Sequence, residues 1–192
     1  MTITEIILAG GKSSRIGQNK ALLDLSCKKI IEIIYERISQ SCNEIMIISN
    51  TPEDYQFMGL KIYKDIFPEL GPLAGIHSGL PNSNTDKNFI ISCDLPLIST
   101  EAVEYIKNYK SNKAAVIYKK GDQLQFLCGN YTKNCLPILE DLLKTNSLRV
   151  QNFIKKIDAE ILDAERFPQE IFFNLNRAED YEFLKEQFPS FQ

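Results

Sequence analysis

The fold is decided by Ile6-Ile7-Leu8-Ala9-Gly10-Gly11-Lys12-Ser13-Ser14-Arg15-Ile16-Gly17-Gln18-Asn19-Lys20-Ala21-Leu22-Leu23. An apolar run over residues 3–9 predicts a short buried strand, which breaks at the glycine pair and enters a loop of small and basic residues. Because glycine has no Cβ, a strand that opens into such a loop lets backbone N–H groups surround an anion. Lys12, Arg15 and Lys20 add three cations, so the stretch predicts a site for a polyphosphate.

After this loop, apolar strands alternate with amphipathic helices. Further strands are predicted at 44–49, 60–64, 88–93, 114–118, 124–131, 159–162 and 171–175. Helices are predicted at 29–39, from 52, at 71–80, from 99, at 137–143, from 147 and from 176. The alternation predicts one α/β domain over residues 1–192, with a mostly parallel sheet, helices on both faces and an antiparallel strand near residues 115–131.

Composition excludes several classes of protein. The chain has 192 residues, 44% hydrophobic and 24% charged, which is ordinary for a globular protein. No apolar run approaches the roughly 20 residues of a membrane span, and no basic region precedes the first apolar run, so we expect a cytoplasmic protein without a membrane anchor. The net charge of −3 argues against a general nucleic-acid-binding protein.

The cysteines and the single histidine do not suggest a metal or nucleophile site. The five cysteines are widely spaced without a Cys-x-x-Cys pair, and His77 is the only histidine, so we expect neither a zinc site nor a conventional catalytic triad. Buried free thiols in a reducing compartment fit better. Cys93 beside Asp94 has the form of a nucleophile, but a small apolar residue that ends a buried strand is the favoured interpretation. We expect a structural role for His77.

Polar residues follow several predicted strands. In open α/β sheets, ligands bind beyond the carboxyl ends of the strands, and Asn50, Asp65 and Asp94 stand at such ends. Asp94, followed by Pro96, is a rigid place to anchor Mg²⁺ against phosphates, although a turn aspartate has the same pattern. Asn50 fits a ligand site and a cap for the helix at Pro52 equally well.

The spacing in the loop excludes two common phosphate motifs. Gly17 is not followed directly by Lys-Ser/Thr, as the Walker pattern requires, and G-x-G-x-x-G is absent. The loop instead resembles the nucleotidyltransferase signature Leu-Ala-Gly/Ala-Gly-x-x-x-Arg-x-Gly-x-x-Lys, and Gly10 points to the molybdenum cofactor guanylyltransferases. The alternative interpretation is a glycine-rich turn with solvated Lys and Arg side chains.

Three later segments extend the resemblance. Cys93-Asp94-Leu95-Pro96 resembles the family's metal-binding motif, and Gly71-Pro72-Leu73-Ala74-Gly75 resembles a segment that shapes the nucleotide pocket. Asn174-Leu175-Asn176-Arg177-Ala178-Glu179-Asp180 resembles the family's Asn-x-Asn-Thr-Pro-Glu-Asp element at the pterin site, with Arg177 and Ala178 in place of Thr-Pro. Asn176 and Glu179 also fit a helix capping box. The resemblance implies a Rossmann-like nucleotidyltransferase fold and a nucleotide site formed by Leu8, Ala9, Gly10, Gly11, Lys20, Asn50, Asp65 and Asp94.

The activity implied by the resemblance is Mg²⁺-dependent transfer of GMP from GTP to the terminal phosphate of the molybdopterin-bound molybdenum cofactor, with release of pyrophosphate. Arg15, Lys20 and Asp94 would be catalytic, Asp94 would bind the metal, and Asn174 and Asn176 would contact the second substrate. Implied partners are the two substrates and, transiently, other cofactor-biosynthesis proteins or target apo-enzymes. The alternatives are a transferase for CTP or for another sugar or polyol phosphate, and a regulatory nucleotide-binding protein without turnover.

Overall fold

The computed structural model describes residues 2–10, 18–41 and 44–187. The strands are β1 (Thr4–Leu8), β2 (Asp24–Leu25), β3 (Lys28–Lys29), β4 (Glu44–Ile48), β5 (Lys61–Tyr63), β6 (Lys87–Ser92), β7 (Ala115–Lys120), β8 (Gln123–Thr132) and β9 (Ala159–Asp163). The α-helices are α1 (Ile30–Ile38), α2 (Pro72–Asn82), α3 (Thr100–Asn108), α4 (Leu136–Lys144), α5 (Val150–Lys156) and α6 (Ala178–Gln187). Short 3₁₀ helices occupy Lys20–Leu22, Ser39–Ser41, Pro52–Met58, Lys133–Cys135 and Gln169–Phe172.

Seven strands form one sheet in the order β5-β4-β1-β6-β8-β7-β9. The pairs β4–β5, β1–β4, β1–β6 and β7–β9 are parallel. Strand β8 runs antiparallel to β6 and β7, because it returns from β7 through the tight turn at Gly121. The predicted α/β architecture, with a mostly parallel sheet and one antiparallel strand, is therefore confirmed.

Helices cover both faces of the sheet, because alternate side chains of each buried strand point to opposite sides. On β1, Ile7 joins a core built with α1, α3 and α6, while Ile6 and Leu8 join a second core built with α2, α4 and α5. A continuous apolar strand is the expected sequence for a position covered on both sides. Within the described ranges, no helix is long and apolar enough to cross a membrane.

Helix α2 packs unusually close to β1. A Cβ atom on Gly79 would lie 2.9 Å from two carbons of the Ile6 side chain, and one on Gly75 would lie 3.2 Å from Leu8. Contacts this short are sterically excluded for Gly79 and tight for Gly75. The small residues after Gly71 thus bring the start of α2 to the carboxyl end of β1.

Two local predictions are wrong. Residues 171–175 do not form a strand: Ile171 and Phe172 end a 3₁₀ helix after Pro168, and burial against the sheet face explains their apolar pattern. Helix α5 begins at Val150, because Ser147 completes the last turn of α4 through its N–H bond to the Leu142 carbonyl at 2.8 Å.

The hairpin β2–β3 was not predicted. It turns at Ser26 and Cys27, which both have positive φ angles, at 53° and 66°. Tight hairpin turns of this kind usually carry glycine, asparagine or aspartate, so the usual sequence signal is absent.

Candidate active site

The register of the sheet aligns the ends of four parallel strands. Leu8 pairs with Ile48 and with Ser92, and Ile48 pairs with Tyr63. Two residues beyond these aligned positions stand Gly10, Asn50, Asp65 and Asp94. The predicted convergence at the carboxyl edge of the sheet is confirmed by this register, and the glycine-rich loop begins at the same edge.

Lys20 and Asp94 meet at this edge. The ammonium nitrogen Nζ of Lys20 lies 3.8 Å from Oδ2 of Asp94, and both side chains are mostly buried, at 23% and 17% exposure. Lys20 Nζ also donates to the Leu175 carbonyl at 3.3 Å, and the Leu175 N–H donates to the Asp94 carbonyl at 2.8 Å. The hydroxyl of Ser92 donates to Oδ1 of Asp94. The Asp94 carboxylate is thus contacted by Lys20 at Oδ2 and by Ser92 at Oδ1.

The two described ends of the loop are tied together by Tyr55. Its hydroxyl donates to the Ala9 carbonyl at 2.9 Å and accepts from Nδ2 of Asn19 at 2.8 Å. Asn19 also caps the 3₁₀ helix at Lys20, because its Oδ1 accepts from the Ala21 N–H. Burial raises the pKa of Tyr55 to about 12, so the hydroxyl remains a donor at neutral pH. Neither residue was predicted, and only the asparagine before Lys20 carried a recognisable capping signal.

Asn50 and Asp65 bind each other through two hydrogen bonds. Nδ2 of Asn50 donates to Oδ2 of Asp65 at 3.2 Å, and the Asp65 N–H donates to Oδ1 of Asn50 at 3.1 Å. Burial raises the pKa of Asp65, and the bond from Asn50 acts in the opposite direction. Thr51, not Asn50, is the N-cap residue of the 3₁₀ helix, so the capping alternative for Asn50 is wrong. Asn50 instead orients the Asp65 carboxylate.

Leu8, Ala9 and Gly10, the first residues of the predicted nucleotide site, lie at the carboxyl end of β1 and just beyond it. The Leu8 carbonyl accepts from the Cys93 N–H at 3.3 Å, and the Ala9 N–H donates to the Ile48 carbonyl at 3.0 Å, so this backbone is fixed by both neighbouring strands. Gly10 is exposed, and a Cβ there would meet no atom within 4 Å. Lys12, Gly11 and Arg15 lie outside the described residues, and their roles stay predictions.

A groove of about 720 Å³ lies next to Leu175 at the carboxyl edge of the sheet. Asn174 lines it together with Leu97, Gln125, Phe172, Phe173 and Phe183, among others. The rings of Phe173 and Phe183 lie 5.2 Å apart, and Phe183 is 44% exposed. Of the two predicted second-substrate residues, the groove includes Asn174 and does not include Asn176, whose side chain is exposed.

The capping box predicted for Asn176 and Glu179 is wrong. Helix α6 begins at Ala178, and Oδ2 of Asp180 accepts from the N–H groups of Asn176 and Arg177, both at 2.8 Å. The acidic residue at the third helical position is therefore Asp180, one residue later than predicted, and Asn176 stands outside the helix.

Comparisons with known proteins identify the family to which this site belongs. Residues 5–160 match the MobA-like NTP transferase domain. The chain belongs to the MobA-like NTP transferase family. The resemblance drawn from the loop and from Asp94 is confirmed.

Relatives of this MobA-like protein extend over nearly its whole length. A probable molybdenum cofactor guanylyltransferase of Clostridium perfringens strain 13 is 38% identical over 186 residues, covering 93% of each chain. One from Carboxydothermus hydrogenoformans is 37% identical over 188 residues, covering 95% of this chain and 94% of its own. The molybdopterin-guanine dinucleotide biosynthesis protein A of Archaeoglobus fulgidus shares the fold, with a TM-score of 0.82 and 21% identity over 96% of this chain and 97% of its own.

The donor set in this MobA-like protein fits one kind of metal site. Within residues 2–10, 18–41 and 44–187, no group of three or more His, Cys, Asp or Glu side chains lies close enough to hold an ion. Mg²⁺ commonly binds one or two carboxylates and fills its remaining positions with phosphate oxygens and water. The single carboxylate of Asp94 therefore fits an ion shared with a substrate, and a cage of protein side chains does not fit these residues.

The two other reactive side chains considered from sequence are structural. Cys93 is buried, and its pKa is raised to about 12 by burial and by the neighbouring Asp94, so the thiolate needed for nucleophilic attack is not available near neutral pH. His77 is 5% exposed on α2 and packs edge-on against Phe67, with ring centroids 5.1 Å apart. This burial and this ring contact indicate that His77 has a structural role in packing.

Proposed function

We propose that this MobA-like protein transfers GMP from GTP to the terminal phosphate of the molybdopterin-bound molybdenum cofactor and releases pyrophosphate. The observation that carries the proposal is the contact between Lys20 and Asp94 beside a glycine-rich loop, at the carboxyl edge of a parallel sheet. A cation and a carboxylate held together there suit a charged phosphate substrate. The names of the relatives at 37% and 38% identity support guanosine as the transferred nucleoside.

The chemistry in this proposal needs positioning and charge neutralisation. The attacking group is a phosphate oxygen of the acceptor, which is already ionised at neutral pH. It forms a bond to the α-phosphorus of GTP as the bond to the leaving pyrophosphate breaks. Lys20 is proposed to offset the negative charge that grows on the leaving group, because fixed cations stabilise such charge strongly. Arg15 is proposed to act beside it.

Asp94 is proposed to hold Mg²⁺. The ion, when bound, supplies positive charge to the phosphate oxygens. The orientation of Asp94 by Ser92 and by the Leu175 backbone prepares the carboxylate for this task without a substrate.

Asp65 is proposed to favour guanine. Its carboxylate is half-buried, accepts hydrogen bonds only, and is held in place by the bond from Asn50 to Oδ2. The Watson–Crick edge of guanine presents two neighbouring N–H donors, whereas those of adenine and cytosine present one donor beside acceptors. We expect Asp65→Asn to reduce the preference for GTP over CTP and ATP about tenfold, the effect of one lost charge-assisted bond. Calorimetric titration with each nucleotide measures this, with exposed Asp158→Asn as the control.

The groove beside Asp94 is proposed to receive the acceptor. Its aromatic wall suits a planar heterocycle, because stacked rings gain contact area and electrostatic complementarity. Asn174 contributes the polar group on the same wall. Asn174 directly precedes Leu175, whose backbone contacts Asp94, and this proximity supports the assignment of the groove to the acceptor.

Pyrophosphate release with GTP, CTP, ATP and UTP, each with and without the molybdenum cofactor, tests the proposal. The expected result is release that requires both GTP and the cofactor. Faster release with CTP would establish the related cytidylyltransferase instead. Nucleotide binding without release under any condition would favour a regulatory protein. We also propose a cytoplasmic location and transient contacts with other cofactor-biosynthesis proteins or target apo-enzymes, which would receive the product.

A further inference from the structure

Residues 173–177, here called the strap, run past the catalytic edge outside any helix or strand. Leu175 is the fully buried residue at the strap's centre. Its N–H donates to the Asp94 carbonyl at 2.8 Å, and its carbonyl accepts from Lys20 Nζ at 3.3 Å. The backbone of one residue therefore contacts both members of the Lys20–Asp94 pair.

Asp180 fixes the other end of the strap. Oδ2 of its carboxylate accepts from the backbone N–H groups of Asn176 and Arg177, both at 2.8 Å. Hydrogen bonds to an ionised acceptor are about twice as strong as neutral ones. Because the strap lacks the regular backbone hydrogen bonds of a strand or helix, these two bonds restrain it where it enters α6.

We propose that Asp180 is a positioning residue for the transfer reaction, acting through the strap on Lys20 and Asp94. This inference rests on the proposed function, since it takes Lys20 and Asp94 to be the catalytic pair. Asp180 holds Asn176 and Arg177, and these hold Leu175 in place. The Leu175 backbone in turn bonds the Lys20 ammonium and the backbone carbonyl of Asp94. Misplacing a catalytic group by about 1 Å can lower a rate about 100-fold, so a loosened strap is costly even far from the substrate.

Glu179 provides a matched control for a purely structural role of Asp180. It stands in the same first turn of α6 and has the same favourable interaction with the helix dipole. Its side chain is exposed, and no hydrogen bond from it to the strap is found among the described residues. If Asp180 only stabilises the start of α6, Asp180→Ala and Glu179→Ala should alter turnover to a similar, small extent.

The test compares the wild type with Asp180→Ala, Asp180→Asn, Asp180→Glu and Glu179→Ala by pyrophosphate release with GTP and the molybdenum cofactor. We expect Asp180→Ala to lower kcat about 10- to 100-fold while KM for GTP changes less than about threefold. The misplaced Lys20 and Asp94 would stabilise less of the charge that develops during transfer, whereas GTP binding would be little affected. Asp180→Asn should retain most activity, since its amide oxygen can accept the same two bonds. Glu179→Ala should match the wild type.

Hydrogen exchange at the Leu175 amide gives a readout that does not depend on turnover. We expect faster exchange in Asp180→Ala than in the wild type or in Glu179→Ala. If Asp180→Ala does not fold, Asp180→Glu keeps the helix charge while displacing the carboxylate by one methylene, and it should show the same two effects in weaker form.

The outcomes separate the two proposals. Normal kcat and normal Leu175 exchange in a folded Asp180→Ala or Asp180→Glu protein would overturn the positioning role. Normal kcat with faster exchange would overturn it as well, because the strap would then move without consequence for catalysis. A wild type that releases no pyrophosphate would count against the proposed function, and with it against a catalytic role for the strap, whatever the exchange rates.

Discussion

Lys20 and Asp94 form an ion pair at 3.8 Å, although one follows the loop after β1 and the other follows β6. The pair exists because β1 and β6 are parallel neighbours whose last residues, Leu8 and Ser92, are in register. The segments that follow those two strands therefore start at the same edge of the sheet, and the contacts of Tyr55 with Ala9 and Asn19 hold the far end of the loop there. The chemistry of the site is thus a consequence of strand order, with Leu175 adding the third contact.

Lys20→Ala should lower turnover by about 100- to 1,000-fold, the range typical for removing a group that stabilises transition-state charge. Its stability should change by less than about 1 kcal/mol, because the pair with Asp94 is long and partly exposed. Pyrophosphate release and urea unfolding measure the two effects. Lys28→Ala, which breaks an exposed pair with Glu36, is the matched control. Near-wild-type turnover of Lys20→Ala would exclude the catalytic role.

Asp94→Asn should fold normally and lose most turnover. The Asn side chain retains an oxygen that can accept from Ser92, but it lacks the negative charge that a Mg²⁺ ligand supplies. A turn aspartate would tolerate this change, since both side chains satisfy similar backbone and side-chain donors. Turnover and the Mg²⁺ dependence of GTP binding should be measured together with the melting temperature. Retention of most activity at ordinary Mg²⁺ would assign Asp94 to the turn alone.

The sequence predicted the residues whose positions follow from strand order. The apolar runs of β1, β4 and β6 were recognisable, so the amino-acid pattern alone assigned Asn50 and Asp94 to one edge of the sheet. The contacts of Tyr55 and Leu175 could not be predicted in this way. Each depends on where a 3₁₀ helix or an irregular segment packs in three dimensions, and neither has a periodic pattern.

Predictions from local sequence were wrong where one sequence pattern fits two different structures. Ile171, Phe172 and Leu175 are buried as residues of a strand would be, but no strand forms, and the Leu175 N–H bonds the Asp94 carbonyl. Either Glu179 or Asp180 could have been the acidic residue at the third position of α6. Asp180 has this position because the helix begins one residue later than predicted, directly after the strap. Propensity and spacing do not resolve a one-residue shift of this kind.

His77 should make stability depend on pH below 6.5. Burial lowers its pKa from the ordinary value of 6.5, and Glu140 acts in the opposite direction. Between the folded and unfolded pKa values the unfolded chain binds more protons, so the free energy of unfolding should rise with pH there, by at most about 1.4 kcal/mol per pH unit.

The check on His77 is a comparison of urea unfolding between wild type and His77→Asn across this range. Carboxylates titrate in both proteins, so the difference between the two curves isolates the imidazole. Because the sequence contains one histidine, the assignment is direct. A pH-independent difference would show that His77 does not titrate differently in the folded and unfolded states.

The last prediction concerns a charged cluster within the core at the opposite end of the sheet from the active site. Glu5 on β1 is fully buried and forms an ion pair with Lys107 on α3, whose ammonium also binds Glu104 at 2.8 Å and the Ile38 carbonyl at 3.2 Å. Breaking a buried pair by removing one partner leaves an uncompensated charge and typically costs about 3–5 kcal/mol. Lys107→Met should therefore reduce the free energy of unfolding by about that amount.

Adding Glu5→Leu to Lys107→Met should restore much of the loss, because apolar residues of similar size often replace a buried ion pair without net cost. Lys113→Met, which breaks an exposed pair with Asp158, should change stability by less than about 1 kcal/mol and serves as the control. Urea unfolding of the wild type, Lys107→Met, Glu5→Leu and the double variant gives the coupling energy between the two residues directly. A double variant less stable than Lys107→Met alone would mean that Glu5 is stabilised by groups other than Lys107.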